Sequence, residues 1–313
     1  MSQSIPQSLP ARVSATGATA YLAADGFLDD LLGELGPTLA VYDRLVLAEG
    51  PPRAVAWAEN IWFDPVKIEV ASIGEAAKAL RAIQRNWVLY PTHLHRRALL
   101  IQDKLPHVGA KPLVFPKAAP TAPLGSWTLL DEHTVLAAAR CASPFANGVV
   151  NFVEDKVTPP NRAYLKLWEA LTLAGRHPGP GETCLDLGAS PGGWTWALAQ
   201  LGAHVIAVDK APLAPDVALH PNVSTRQASA FALKPSEVGP VDWLFSDVVC
   251  YPMRLHRLIG AWLESGLARN IVCTVKFQGE TDFAAQAAFA ALPGGRLIHL
   301  HHNRHELTWI RLA

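Results

Sequence analysis

The chain has 313 residues, with 27 basic and 27 acidic side chains, a formal net charge of zero, 50 % hydrophobic residues and 17 % charged ones. That length exceeds one average domain, and the hydrophobic fraction excludes a disordered chain. Neutral bulk charge removes any compositional argument for nucleic-acid binding, which has to rest on a local patch.

Residues 1–17, rich in Ser, Gln and Pro, predict a flexible lead-in. They lack a basic start followed by an apolar core, and no apolar run in the chain is long enough to span a bilayer, which predicts a cytoplasmic protein without a membrane partner. The four cysteines, Cys141, Cys184, Cys250 and Cys273, form no C-x-x-C pair, so they read as free thiols and no metal site is expected.

From residue 18 to 145 the pattern predicts a small α+β domain. Ala18 to Ala23 is an apolar run, and Phe27 to Leu35 has helical leucine spacing with Asp25 as its expected cap. Leu39 to Tyr42, Leu45 to Ala48 and Val66 to Val70 read as strands, Ile73 to Gln84 as a helix and Thr134 to Ala139 as the last strand. Between Arg85 and Lys117, basic residues including Arg96, Arg97 and Lys104 face the single acid Asp103, with Trp87, Tyr90, His93 and His95 interleaved. Cations beside exposed aromatics suit phosphate contact and base stacking, so this segment is the candidate RNA-facing patch. Lys111 to Ser126, with four prolines, reads as an extended loop, and 146–160, with its Thr-Pro-Pro and Asn-Gly, as an interdomain linker.

From residue 161 to 313 short apolar strands alternate with helices. The strands are Thr183 to Leu187, His204 to Val208, Val223 to Gln227, Val241 to Ser246 and Ile271 to Val275. This alternation predicts a Rossmann-like α/β domain whose mostly parallel sheet presents its active groups at the C-terminal strand ends. Gly295 to His301 and Glu306 to Ile310 read as a hairpin that makes the last strand antiparallel and gives the sheet an antiparallel edge.

The first strand of this domain runs into Asp186-Leu187-Gly188-Ala189-Ser190-Pro191-Gly192-Gly193-Trp194-Thr195, and the next strand ends in Asp209. An apolar strand that turns through small residues into a helix offers a nucleotide site, and an acid at the second strand end can accept from both ribose hydroxyls. A dinucleotide fingerprint, G-x-G-x-x-G, needs a glycine at its third position, where Ser190 stands, so NAD is a poor fit. Four ionisable residues are expected near the same mouth. Lys166 lies on the helix before the first strand, Asp247 and Lys276 each end a strand, and Glu306 begins the final one.

The loop and these four residues together resemble the FtsJ-like ribose 2'-O-methyltransferases. The resemblance is carried by D-L-G-A-S-P-G-G-W-T, by Asn161-Arg162-Ala163-Tyr164-Leu165-Lys166-Leu167, and by the strand ends Ser246-Asp247, Val275-Lys276 and His305-Glu306-Leu307-Thr308. The chain is similar to the bacterial members that methylate a cytidine ribose in 23S rRNA and carry an N-terminal THUMP-type RNA-binding domain. It implies S-adenosylmethionine as cofactor, with S-adenosylhomocysteine as product, and Asp186, Gly188, Ser190, Pro191, Gly192, Gly193, Trp194, Asp209 and Asp247 around it. Lys166, Asp247, Lys276 and Glu306 match the family's catalytic tetrad. The chain departs from the family at Gln227-Ala228-Ser229-Ala230, where members carry an Asp that reads adenine. That task falls to Ser229 or to backbone groups.

A ribose hydroxyl is a weak nucleophile and needs a base. An ordinary lysine, with a pKa of about 10.4, is a poor one, but desolvation and a second cation favour the neutral form. Lys276 is the expected base, with Lys166 as the second cation and Asp247 and Glu306 holding the pair. The expected partner is large-subunit rRNA, contacted through Arg96, Arg97, Lys104 and Arg162, by a monomer or weak homo-oligomer. The alternatives are a methyltransferase of a non-RNA acceptor and a non-catalytic RNA-binding protein that keeps the fold.

Overall fold

A computed structural model describes residues 11–313. The chain divides into two compact units. The first ends at Val150 and omits Pro112–Ala119, which belongs with Asn151–Ala313 in the second.

The first unit contains β1 (Arg12–Ala15), β2 (Ala18–Ala23), α1 (Leu28–Leu35), β3 (Ala40–Tyr42), β4 (Leu45–Glu49), β5 (Ala58–Phe63), β6 (Val66–Glu69), α2 (Ile73–Ile83), β7 (Trp87–Leu89), α3 (His95–Gln102), β8 (Gly125–Leu129), β9 (Thr134–Ala138) and β10 (Arg140–Cys141). Two five-stranded sheets form, in the orders β1-β6-β9-β8-β7 and β10-β5-β2-β4-β3. Among these pairs β7 and β8 are parallel. The helix α2 starts where Ser72 accepts from the Glu75 N–H, and its apolar stripe, Ala76, Ala77 and Leu80, packs with Trp87, Trp127, Ala98 and Ile101. A second cluster joins Leu22, Leu45 and Trp62 to Leu136. The expected α+β composition is present.

Several local expectations are corrected. Residues 12–15, expected as lead-in, form β1, whose four exposed residues are held by pairing with β6 in the register Arg12↔Glu69. The rest of the lead-in, 1–10, lies outside the described residues. Asp25 does not cap α1: the helix begins after Phe27, whose ring stacks on Trp57 at 4.9 Å, and Asp25 lies 3.6 Å from Arg44 Nε. The proline-rich loop is shared between the units. Leu113 donates to the Asn151 carbonyl at 2.7 Å and the Phe115 ring stacks on Trp168 at 4.9 Å, while Gly125–Leu129 enters the first unit as β8. The expected linker is divided as well, because Ala146–Gly148 is a 3-10 turn of the first unit and Asn151 onward belongs to the second.

The second unit contains α4 (Tyr164–Ala174), β11 (Thr183–Leu187), α5 (Gly193–Gln200), β12 (His204–Asp209), α6 (Pro215–Ala218), β13 (Val223–Gln227), α7 (Pro235–Val238), β14 (Val241–Ser246), α8 (Pro252–Ser265), β15 (Ala268–Lys276), α9 (Phe283–Ala290), β16 (Gly295–Ile298) and β17 (Glu306–Arg311). The sheet order is β13-β12-β11-β14-β15-β17-β16, parallel from β13 to β15 and antiparallel on both sides of β17. The fold is therefore the Rossmann-like methyltransferase arrangement with an antiparallel last strand. That strand lies inside the sheet and β16 forms the edge. Five of the six residues of β17 are buried, whereas no residue of β16 is fully so, and the more apolar strand takes the covered position. Among the described residues no helix is long and apolar enough to cross a membrane.

Candidate active site

Four ionisable side chains meet at one end of the β14–β15–β17 segment. Asp247 follows β14 directly, and Lys276 and Glu306 are register partners across β15 and β17. Lys166 reaches them from the first turn of α4. Lys166 Nζ lies 3.0 Å from Asp247 Oδ1 and 2.5 Å from Glu306 Oε1, and Lys276 Nζ lies 3.0 Å from the same Asp247 oxygen while donating to the Asp247 carbonyl at 2.7 Å. Burial alone raises the Asp247 carboxyl, but the charges and hydrogen bonds of Lys166 and Lys276 outweigh it and hold the group below its ordinary value. Lys166 and Glu306 are each 7 % exposed, so desolvation would penalise either charge without its partner. A cavity of about 460 Å³ opens over the cluster, lined by Asn161, Arg162, Lys166, Lys276, His302, Arg304 and Glu306 among others.

The loop after β11 forms the second half of the site. Asp186 is buried and accepts from Thr195 Oγ1 at 2.7 Å, which ties the strand end to the first turn of α5. Burial, reinforced by Asp247 and Asp209, pushes its carboxyl up to about 7. Asp209 accepts from Ser190 N at 3.0 Å and Ala211 N at 2.9 Å, and these two donors fix the carboxylate at the end of β12. The Ser190 hydroxyl donates to the Pro212 carbonyl at 2.8 Å. A cavity of about 170 Å³ beside Asp209 is lined by Ala211, Pro212, Leu213 and Gln227. An acid for a ribose diol next to small apolar side chains is a donor set that fits S-adenosylmethionine.

Two details of the loop differ from the sequence expectation. The space around its glycines is taken by this chain's own atoms. A Cβ on Gly188, whose φ is +81°, would lie 2.7 Å from Val248 Cβ, and one on Gly193 would lie 2.1 Å from Asn161 Oδ1. Gly193 therefore admits Asn161, which also accepts from Ala163 N at 3.0 Å, and Trp194, 3 % exposed, donates its indole N–H to the Ala163 carbonyl at 2.9 Å. Both residues latch the segment before α4 onto the loop and so help to place Lys166. The Ser229 hydroxyl accepts from Phe231 N at 3.4 Å; Gln227, the register partner of Asp209, is the side chain that faces the cavity at this end.

Of the expected RNA contacts, Arg162 lies with the tetrad: it lines the larger cavity and pairs with Glu154 at 2.9 Å. Arg96 and Arg97 lie on α3 and Lys104 just beyond it, in the first unit. The aromatics expected beside them are not stacking platforms. Trp87 is fully buried, with its indole N–H donated to the Leu80 carbonyl, and Tyr90 is 5 % exposed, its hydroxyl 2.5 Å from Asp43 Oδ2 and pushed up by burial. Sequence reasoning missed Glu169 and its pairing with His302; for His299, His301, His302 and His305 it expected edge-strand or phosphate-contact roles in preference to a metal site. The contact of Glu169 with His302 spans 133 positions, and the one local signal is that Glu169 falls one helical turn after Lys166.

The FtsJ-like methyltransferase family model matches residues 159–279. A protein named ribosomal RNA large subunit methyltransferase M from Halorhodospira halophila is 40 % identical over 48 % of this chain and 46 % of its own length. A second of that name from Alkalilimnicola ehrlichii is 36 % identical over 55 % of this chain and 51 % of its own length. Both matches thus span about half the length of these relatives. A third, from Xanthomonas oryzae pv. oryzae, is 30 % identical over 96 % of this chain and 93 % of its own length.

Proposed function

Because this chain belongs to the FtsJ-like methyltransferase family, with relatives named ribosomal RNA large subunit methyltransferase M along nearly its whole length, we propose that it methylates a ribose 2'-hydroxyl of large-subunit rRNA. The observation that carries the reading is the cluster of Lys166, Asp247, Lys276 and Glu306 under an open cavity of about 460 Å³. Bound S-adenosylmethionine supplies a methyl group activated by a sulfonium centre. Asp209, the backbone of the loop from Gly188 to Gly193, and Asp247 hold it, and Gln227 with Ala211, Pro212 and Leu213 takes the adenine end.

Charge counting supports Lys276 as the base. Lys166 touches both carboxylates and Lys276 touches one. Loss of the proton from Lys276 leaves Lys166 between two acids, whereas loss from Lys166 would leave Glu306 buried without its cation. In this reading the Lys276 amine accepts the proton that the 2'-hydroxyl loses on methylation and then returns it to solvent. Alignment of oxygen, carbon and sulfur supplies much of the rate, so the rigidity of the tetrad matters as much as its basicity.

The first unit is the RNA-binding part of this reading, a THUMP-type domain whose contacts are Arg96, Arg97 and Lys104. Rim cations Arg162 and Arg304 add phosphate contacts beside the tetrad. On this reading the protein works in the cytoplasm. The test is methyl transfer from labelled S-adenosylmethionine to unmodified large-subunit rRNA, with the product mapped as a 2'-O-methyl nucleotide. Transfer to a base or to protein, or cofactor binding with no transfer to RNA, would overturn the proposal.

A further inference from the structure

The cavity over the tetrad is also lined by a histidine outside the tetrad. His302 lines it together with Arg162, Lys166, Lys276 and Arg304. Its ring is firmly placed. Nδ1 donates to Glu169 Oε2 at 2.6 Å, and the backbone N–H groups of His301 and His302 donate to the same carboxylate at 2.7 and 2.9 Å. Glu169 is 2 % exposed and sits on α4 one turn beyond Lys166. A buried carboxylate is tolerated when it is hydrogen-bonded, and these three donors serve both of its oxygens. With Nδ1 turned toward Glu169, Nε2 is the ring atom left to meet a ligand, and among the described residues it has no hydrogen-bond partner.

We propose that His302, positioned by Glu169, is a further substrate-contacting residue that binds a phosphodiester group beside the target ribose. The inference rests on the RNA-methylating reading above. Beyond the tetrad, the lining side chains add His302 and Arg304 and also Arg162, which pairs with Glu154, while the lining carboxylate, Glu306, is already paired with Lys166. That surplus of donors suits an anion. Between two anionic acceptors, Glu169 and a phosphodiester, the ring presents one nitrogen to each. Phosphate contacts set the register of a nucleic-acid strand, so this one holds the neighbouring 2'-hydroxyl against Lys276. Glu169 acts through His302 and is a positioning residue.

The test compares the full chain with His302→Ala, His302→Lys and Glu169→Gln variants, using KM and kcat on rRNA, the salt dependence of RNA binding, and S-adenosylmethionine affinity by calorimetry. His302→Ala is expected to raise the RNA KM about tenfold, the effect of losing one charge-assisted hydrogen bond. The slope of log affinity against log salt should fall by about 0.7, that of one phosphate contact on a single strand. Cofactor affinity stays at the wild-type value. His302→Lys restores the slope, and Glu169→Gln raises KM in the same direction with cofactor affinity intact, a result readable even where the alanine variant fails to fold. An active His302→Ala protein with wild-type KM and slope overturns the phosphate contact. So does a loss of cofactor affinity and of unfolding midpoint in step with RNA affinity, which assigns His302 to the fold. A wild-type protein that transfers no methyl to RNA removes the functional reading instead, and the binding slopes then still decide on His302.

Discussion

The two units place their charged residues in opposite ways. Lys166, Glu169, Asp186 and Glu306, each at most 7 % exposed, all lie in the second unit, whereas among the described residues of the first Thr19, Asn60, Ser126 and Thr128 are buried and the Glu59 carboxylate, its side chain 5 % exposed, pairs with Arg44. Burying a charge is costly unless it is paired, so a fold that buries four of them in one region is under a constraint other than stability. The first unit keeps Arg96 and Lys104 on its exposed surface around a core of Trp57, Trp62, Trp87 and Trp127. Arg96 and Lys104 are open to a partner, whereas Lys166, Lys276, Asp247 and Glu306 of the second unit are held by one another.

The largest expected effect breaks this contrast directly. Replacing Lys166 by Met leaves Asp247 and Glu306 without their shared cation and is expected to destabilise the second unit by about 3–5 kcal/mol, read from the denaturant midpoint. Arg96→Ala on α3 is expected to shift stability by no more than about 0.5 kcal/mol. Equal losses in the two variants would remove the distinction between held and free charges.

The next effect is a pH slope. Burial pushes the Asp186 carboxyl up to about 7, so the folded chain keeps a proton that the unfolded chain releases near its ordinary value of 3.8. That contribution is fully present below the unfolded value and is lost as the pH rises through about 7. Asp247, held below its ordinary value, contributes in the opposite direction, and its share is lost as the pH falls. Asp186→Asn keeps an oxygen for Thr195, so its unfolding free energy should change less between pH 4 and 7 than that of wild type. An unchanged profile would show that Asp186 does not carry this proton.

The smallest effect belongs to the first unit. Arg96→Ala and Lys104→Ala are each expected to lower the salt slope of RNA binding by about 0.7 to 0.9, without altering S-adenosylmethionine affinity in calorimetry. Unchanged slopes in both would leave α3 as an ordinary solvated face.

What the sequence made legible follows the same division. The parallel strands of the second unit are short apolar runs bounded by turn residues, and period-2 reading located β11 through β14 within a residue or two of their observed ends. The tetrad was legible because its members sit at strand or helix starts and ends, where the topology itself brings them together. In the first unit β5, β7 and α3 were not recognised. β7 has three residues and pairs in parallel with β8 across a proline-rich stretch, and α3, His-Arg-Arg-Ala-Leu-Leu-Ile-Gln, shows no clean apolar stripe. Trp87 and Tyr90 looked like stacking residues because a linear reading of alternating cations and rings cannot show that the rings point into the core. Glu169 gave no signal beyond its place one turn after Lys166, because its donors, His301 and His302, come from the far end of the chain.

The central claim is that Lys276 takes the proton from the acceptor hydroxyl, and single-turnover methyl transfer to unmodified large-subunit rRNA by wild type and Lys276→Ala tests it most directly. With S-adenosylmethionine affinity measured in parallel and unchanged, the rate is predicted to fall by about 10²–10⁴, the range a positioned base contributes. A rate within about threefold of wild type, a difference of under 1 kcal/mol in barrier, would contradict the account.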